Sequence, residues 1–228
     1  QRITFGLGTH NDLFATDIEC DQSGVYFNLN GSARRRVFVP MLGRHSACNA
    51  LAAIAVARKM GLAEDAIVAS LAQSHGPEMR LQLSKSNGVT ILNDAYNANP
   101  NSTRAAIETL RDLPAAGRRV AILGDMLELG EQSDRYHKEI GQLAGANRFD
   151  LLICVGKKAR QVAASAKSAG MDGSRVVVYP DALAAARGCV RRVRGNDLIL
   201  LKGSRSIGLE TVARAITDHQ GKFARKAS

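Results

Sequence analysis

The chain has 228 residues, of which 45% are hydrophobic, 23% charged and 4% aromatic, and its formal net charge is +10. That length holds one large domain or two small ones with a substantial core, and the apolar content excludes a disordered chain. No apolar run reaches the roughly 20 residues that span a bilayer, and Gln1-Arg2-Ile3-Thr4-Phe5 is no signal peptide, so a cytoplasmic protein without membrane insertion is expected.

In chain order, residues 3–39 read as short strands and turns, with Val25–Leu29 and Val37–Val39 extended and Asp21–Gly24 as a turn. Phe5-Gly6-Leu7-Gly8 contains a G-x-G, but it lacks the third glycine and the following helix of a dinucleotide fingerprint. Ala47 to Arg58 is small and apolar throughout, which predicts a helix buried on most sides; Gly61 ends it, and Ala63–Ala72 forms a second helix. His75-Gly76-Pro77 then breaks the chain.

Charge changes at the same place. Residues 1–79 carry seven Lys/Arg and seven Asp/Glu, whereas residues 80–228 carry 24 and 14. A domain boundary near residue 79 follows. The basic excess points to an anionic partner, either a phosphorylated small molecule or nucleic acid, or else to a solvated surface with a frayed tail at Lys222–Lys226. With few aromatics and no nucleic-acid motif, nucleic acid is not expected. The four cysteines are scattered and never form a C-x-x-C pair, which suits a reduced compartment.

After the boundary, strands and helices alternate. The expected strands are Leu81–Ser84, Val89–Asn93, Arg119–Leu123, Leu151–Val155, Arg175–Tyr179 and Asp197–Leu201. The expected helices are Ser102–Leu113, Asp134–Ala146, Ala159–Ala169, Asp181–Val193 and Leu209–Asp218. Continuous apolar strands between amphipathic helices imply a mostly parallel, Rossmann-like α/β sheet covered on both faces. The first two strands, joined by Lys85–Gly88, would add an antiparallel edge hairpin.

Ligands of such sheets collect at the carboxyl ends of the strands. Four strand ends here are polar: Asn93–Pro100, Gly124–Gly130, Val155–Lys158 and Leu201–Ser206. Asn93-Asp94-Ala95-Tyr96-Asn97-Ala98-Asn99-Pro100 holds more polarity than a strand-to-helix connection needs, which suggests chemistry. Lys202, Ser204 and Arg205 resemble an anion clamp: a point charge, a hydroxyl and a planar fork. Asp94, acceptor-only when ionised, suits ribose hydroxyls or an adenine amine, and Arg80 suits a phosphate. His45 stands at a helix entrance and Asn49 in its first turns, where Asn is mildly unfavourable unless it has a polar duty. His10, His75, His137 and His219 lack partners at ligand spacing and read as surface or core residues, and no metal site is expected.

Gly43-Arg44-His45-x-x-x-Asn49-Ala50-Leu51-Ala52-Ala53, the Asn93–Pro100 string, Gly124-Asp125-Met126-Leu127-Glu128-Leu129-Gly130 and Leu201-Lys202-Gly203-Ser204-Arg205 occur in this order. In order and spacing they resemble the Mur ligases over nearly the whole chain. The resemblance implies ATP-dependent amide formation through an acyl phosphate in peptidoglycan precursor synthesis. UDP-N-acetylmuramoyl-tripeptide and D-alanyl-D-alanine would be the substrates, magnesium and ATP the cofactors, and a monomer the expected state. It further implies Asn49 and His45 near the nucleotide, Arg80 on a phosphate or ribose and Asp94 on the ribose. Tyr96 and Asn97 would face the reacting centre, with Lys202, Ser204 and Arg205 on the dipeptide.

The family pattern is incomplete. No G-x-x-x-x-G-K-[ST] occurs, and the first residue is not Met. Residues 1–79 are therefore expected to be the end of a central ATP-binding domain and 80–228 a ligase C-terminal domain, together a carboxyl-terminal fragment inactive alone. The magnesium ligands of the family would lie mostly upstream. Alternatives are a folylpolyglutamate synthase-like amide ligase, or a non-catalytic module binding anions or nucleic acid.

Overall fold

The structure, a computed structural model, describes residues 2–86 and 88–226, with residues 220–226 given by their backbone alone. Its contacts divide the chain into two units: the residues up to Pro77 with Asp112–Pro114, and Glu78–Arg111 with the residues from Ala115 on.

In the first unit, strands β1 (Phe5–Gly6), β2 (Leu13–Cys20), β3 (Val25–Leu29) and β4 (Arg36–Val39) form one sheet in that order. Of the Phe5–Gly8 segment, Phe5 and Gly6 pair parallel to β2, and Leu7 and Gly8 form a bend after them. The β2–β3 turn is held by the Asp21 carboxylate, which accepts from the amides of Ser23 and Gly24 at 2.7 and 3.2 Å. Helix α1 (His45–Lys59) buries Ala47, Ala50, Leu51 and Ile54 against Leu13, Val25, Phe27 and Val37; α2 (Glu64–Ala72) adds Ile67.

The second unit carries a sheet of six strands, β5 (Gln82–Ser86), β6 (Val89–Asp94), β7 (Arg119–Gly124), β8 (Leu151–Val155), β9 (Val176–Tyr179) and β10 (Leu198–Lys202). Their order is β5-β6-β10-β7-β8-β9, parallel except for β5, so the mostly parallel sheet with an antiparallel edge is present. Of the hairpin connection, Asn87 lies outside the described residues. β5 starts later than the pattern implies because Leu81 takes a left-handed φ of 48° and gives its N–H to Asp94 instead of the ladder.

The strands' buried residues alternate between two faces. Ile91, Ile122, Ile153, Ile199 and Leu201 pack with α6 (Ala182–Cys189) and α7 (Glu210–Lys226) through Ala185, Cys189, Val212 and Ile216. Leu92, Ala121, Leu123, Leu152 and Leu200 are equally buried on the other face, left to α3 (Pro100–Asp112), α4 (Ser133–Ala146) and α5 (Ala159–Ser168). Right-handed crossovers require this division, because the chain steps one way along the sheet from β6 to β9 and returns at β10. Strand β10 and its neighbours β6 and β7 therefore send their chains to opposite faces. Their carboxyl ends flank a topological switch point, where α/β sheets bind ligands. Helix α7 runs on past Asp218; the backbone of the supposed frayed tail is helical to Lys226, and its side chains lie outside the described residues.

Burial pushes the thiols of Cys154 and Cys189 up to about 12, from an ordinary 9.0. A raised folded-state pKa adds stability below the unfolded value, lost as pH climbs from about 9 through 12. Mass spectrometry after alkylation at pH 8 should find both cysteines unmodified in native protein and all four cysteines modified in urea.

Candidate functional site

At the switch point the backbone register sets Asp94 opposite Lys202, and Lys202 opposite Leu123. Both charged side chains are buried, and they meet: Lys202 Nζ lies 2.8 Å from Asp94 Oδ2. The same ammonium donates to the Asn97 carbonyl at 2.6 Å, while Asp94 Oδ1 accepts from Leu81 N–H at 3.1 Å. One ion pair thus ties together the end of β10, the end of β6 and the segment before β5. Lys202 does not stand in solvent beside Arg205, as a simple anion clamp would.

The Asn93–Pro100 loop proves to direct much of its polarity to its own backbone. Asn93 and Asn97 accept from the amides of Ala95 and Ala98 at 3.3 and 2.8 Å. Asn99 caps α3: its Oδ1 accepts from Ser102 N–H at 2.8 Å and Ser102 Oγ accepts from Asn99 N–H at 3.1 Å, with Pro100 in the first helical position. Excess polarity here is partly a folding requirement. Tyr96 remains exposed, and its N–H donates to the Met79 carbonyl at 3.2 Å.

Arg80 is exposed and its guanidinium carbon lies 4.8 Å from the centre of the Tyr96 ring. Both of its neighbours, Met79 (φ 58°) and Leu81 (φ 48°), are non-glycine residues in the left-handed region. Each such residue costs about 1–2 kcal/mol, and strain of this kind collects where a side chain must be aimed. The bonds from Leu81 to Asp94 and from Tyr96 to Met79 hold the segment in place. Arg205 is also exposed, with Nη1 2.6 Å from Met79 Sδ.

Ser204 is buried, and its Oγ accepts from Leu127 N–H at 2.9 Å, while its own N–H donates to the Asp125 carbonyl at 3.0 Å. The 203–204 and 124–127 segments run in contact: a Cβ on Gly203 would sit 3.1 Å from Gly124 Cα. Asp125 caps α5 from a distance, accepting from the amides of Lys157 at 2.7 Å and Lys158 at 3.1 Å. Gly156, at φ 123°, admits that carboxylate, which a Cβ there would meet at 2.5 Å. The strand-end motifs Gly124–Gly130, Val155–Lys158 and Leu201–Ser206 thus hold one another. These partners lie across the sheet, which no local spacing reveals.

His45 and Asn49 belong to the first unit, at the start of α1, and both are exposed. Neighbouring Ser46 is buried and donates to the Leu42 carbonyl at 2.8 Å. Among the described residues no group of three or more His, Cys, Asp or Glu side chains gathers to hold a metal ion. Nor is any helix there long and apolar enough to cross a membrane.

Residues 79–205 match the Mur ligase glutamate ligase domain, and residues 1–57 match the Mur ligase middle domain. The chain belongs to the Mur ligase family. As a Mur ligase chain it is 34% identical over 219 residues to UDP-N-acetylmuramoyl-tripeptide–D-alanyl-D-alanine ligase of Bacillus subtilis, covering 96% of this chain and 48% of that protein. The Escherichia coli enzyme of the same name is 34% identical over 92% of this chain and 45% of its own length. A crystal structure of MurF from Acinetobacter baumannii superposes with a TM-score of 0.80 at 28% identity, over 96% of this chain and 47% of that one. The family and the α/β fold that the motifs imply are both present, and this Mur ligase chain spans about half the length of the relatives it matches.

Proposed function

We propose that the protein to which these residues belong joins D-alanyl-D-alanine to UDP-N-acetylmuramoyl-tripeptide at the expense of ATP, in the cytoplasmic assembly of peptidoglycan precursors. The observation carrying this reading is the match of 96% and 92% of the chain to two ligases of that name. The dipeptide-facing part of the site would be the switch point of the second unit.

A carboxylate is a poor electrophile. ATP transfers a phosphoryl group to the terminal carboxylate of the tripeptide, and the dipeptide amine then attacks the acyl carbon. The tetrahedral adduct loses phosphate by breaking the C–O bond, and the amine gives up its proton. In this reading the exposed Arg80 guanidinium, aimed by strained neighbours and backed by Tyr96, meets nucleotide phosphate or ribose. Asp94, buried against Lys202, holds the adjacent Leu81 amide. Tyr96 and Asn97 lie toward the new bond. Arg205 offers a planar fork to the dipeptide carboxylate, and Lys202 and Ser204 fix the surrounding loops. His45 and Asn49, on the first unit, would serve the nucleotide. The described residues gather no group of three or more His, Cys, Asp or Glu side chains that could hold a metal ion, and no step here runs through magnesium.

Steady-state kinetics of the ligase-competent gene product test these roles. Arg80→Ala should raise KM for ATP about 10–100-fold and leave KM for the dipeptide within about twofold, while Arg205→Ala should do the reverse. Exchanged effects would overturn the assignments.

A further inference from the structure

The Gly124–Gly130 motif has no role in the reaction as described, yet it is held more firmly than an ordinary turn. Buried His137, on α4, has Nδ1 2.7 Å from the Ser133 carbonyl and Nε2 3.1 Å from Met126 N–H. A carbonyl only accepts and a backbone N–H only donates, so both bonds require the neutral ring with its proton on Nδ1. The next amide, Leu127 N–H, goes to Ser204 Oγ, and Asp125 is fixed by α5 and by Ser204 N–H. Beyond these anchors Glu128 adopts φ 60°, a left-handed conformation costly for a non-glycine residue. The side chain so presented is Leu127, 42% exposed, whose amide is bonded to the residue preceding the exposed Arg205.

We propose that His137 is a positioning residue for the dipeptide site. Through Met126 it sets Leu127 as an apolar wall for the substrate's methyl groups, while Arg205 takes the carboxylate. The inference rests on the ligase reading above. D-Alanyl-D-alanine offers a carboxylate and two methyl groups, and Arg205 and Leu127 supply the matching chemistry on neighbouring, mutually bonded loops.

In the ligase-competent gene product, Leu127→Ala and His137→Leu should each raise KM for the dipeptide about tenfold with KM for ATP unchanged. Leu127→Ala should also narrow the preference for D-alanyl-D-alanine over glycylglycine. His137→Gln, which retains an acceptor near the Nε2 position, should return the dipeptide KM toward that of the unmutated enzyme. In the 228-residue chain, hydrogen exchange at the Met126 amide should quicken in His137→Leu and be restored in His137→Gln. A Met126 amide equally protected in all three, or an unchanged dipeptide KM in His137→Leu or Leu127→Ala, would overturn the proposal alone. An unmutated gene product that forms no amide would overturn the ligase reading, and the proposal with it.

Discussion

Replacing Lys202 by methionine is expected to lower the free energy of unfolding by about 3–5 kcal/mol, because it strips the counter-charge from a buried carboxylate. Methionine fills most of the lysine's volume, so little of the loss would come from a cavity. Asp94 would keep the Leu81 amide but lose an ammonium at 2.8 Å, and the Asn97 carbonyl would lose its donor. Both partners are buried, so solvent does little to screen the pair. Urea unfolding of the single variant and of the Asp94→Asn/Lys202→Met double variant separates the causes. The double variant should recover part of the loss, since no unpaired charge remains buried. If Lys202→Met unfolded with wild-type stability, the pair would not hold the site together.

At the opposite ends of the strands, Asp197→Ala is expected to cost about 2–3 kcal/mol. Asp197 is 1% exposed and takes a two-pronged bond from Arg118, at 3.0 Å to Oδ1 and 2.7 Å to Oδ2, and a third from Arg194 N–H at 2.8 Å. The carboxylate in turn raises the pKa of the Arg118 guanidinium, chiefly through that bond. Arg118 is a quarter exposed and can turn to water when its partner is removed, which makes the loss smaller than at Lys202. The Arg194 amide would be left without its acceptor. Chemical denaturation reads the effect, and an unchanged midpoint would contradict it.

Most strands of the second unit were legible because they are short runs rich in Val, Ile, Leu or Ala, buried on both faces in β7, β8 and β10, whereas β5 is largely exposed and β9 buries only Val176; the observed ends differ from the pattern by a residue or two. Their spatial order was not legible. Strand β10 is last in the chain yet inserts between β6 and β7, a pairing fixed by distant contacts. The same limit governs the site. Asp94, Tyr96, Lys202 and Arg205 stood out at strand ends, but nothing local tells that Lys202 turns inward to Asp94 while Arg205 stays in solvent. The Asn residues of the 93–100 loop suggested chemistry, and several proved to cap neighbouring amides, a use equally compatible with their spacing. Left-handed Met79 and Leu81 carry no sequence signal, because neither is Gly, Asn or Asp. His137 looked like an ordinary core histidine, and only the return of Met126 onto its ring reveals a second duty.

The central claim is that this switch point serves dipeptide ligation, and one assay tests it most directly. The ligase-competent gene product would be incubated with ATP, UDP-N-acetylmuramoyl-tripeptide and, in parallel, D-alanyl-D-alanine, D-alanine or glutamate, with products resolved by mass spectrometry and phosphate counted. The expected result is one dipeptide added per phosphate released, with negligible product from either single amino acid. No product should appear from the 228-residue chain alone, in which no G-x-x-x-x-G-K-[ST] occurs to cradle the phosphates. Glutamate addition in place of the dipeptide, or amide formation by the 228 residues alone, would contradict the account.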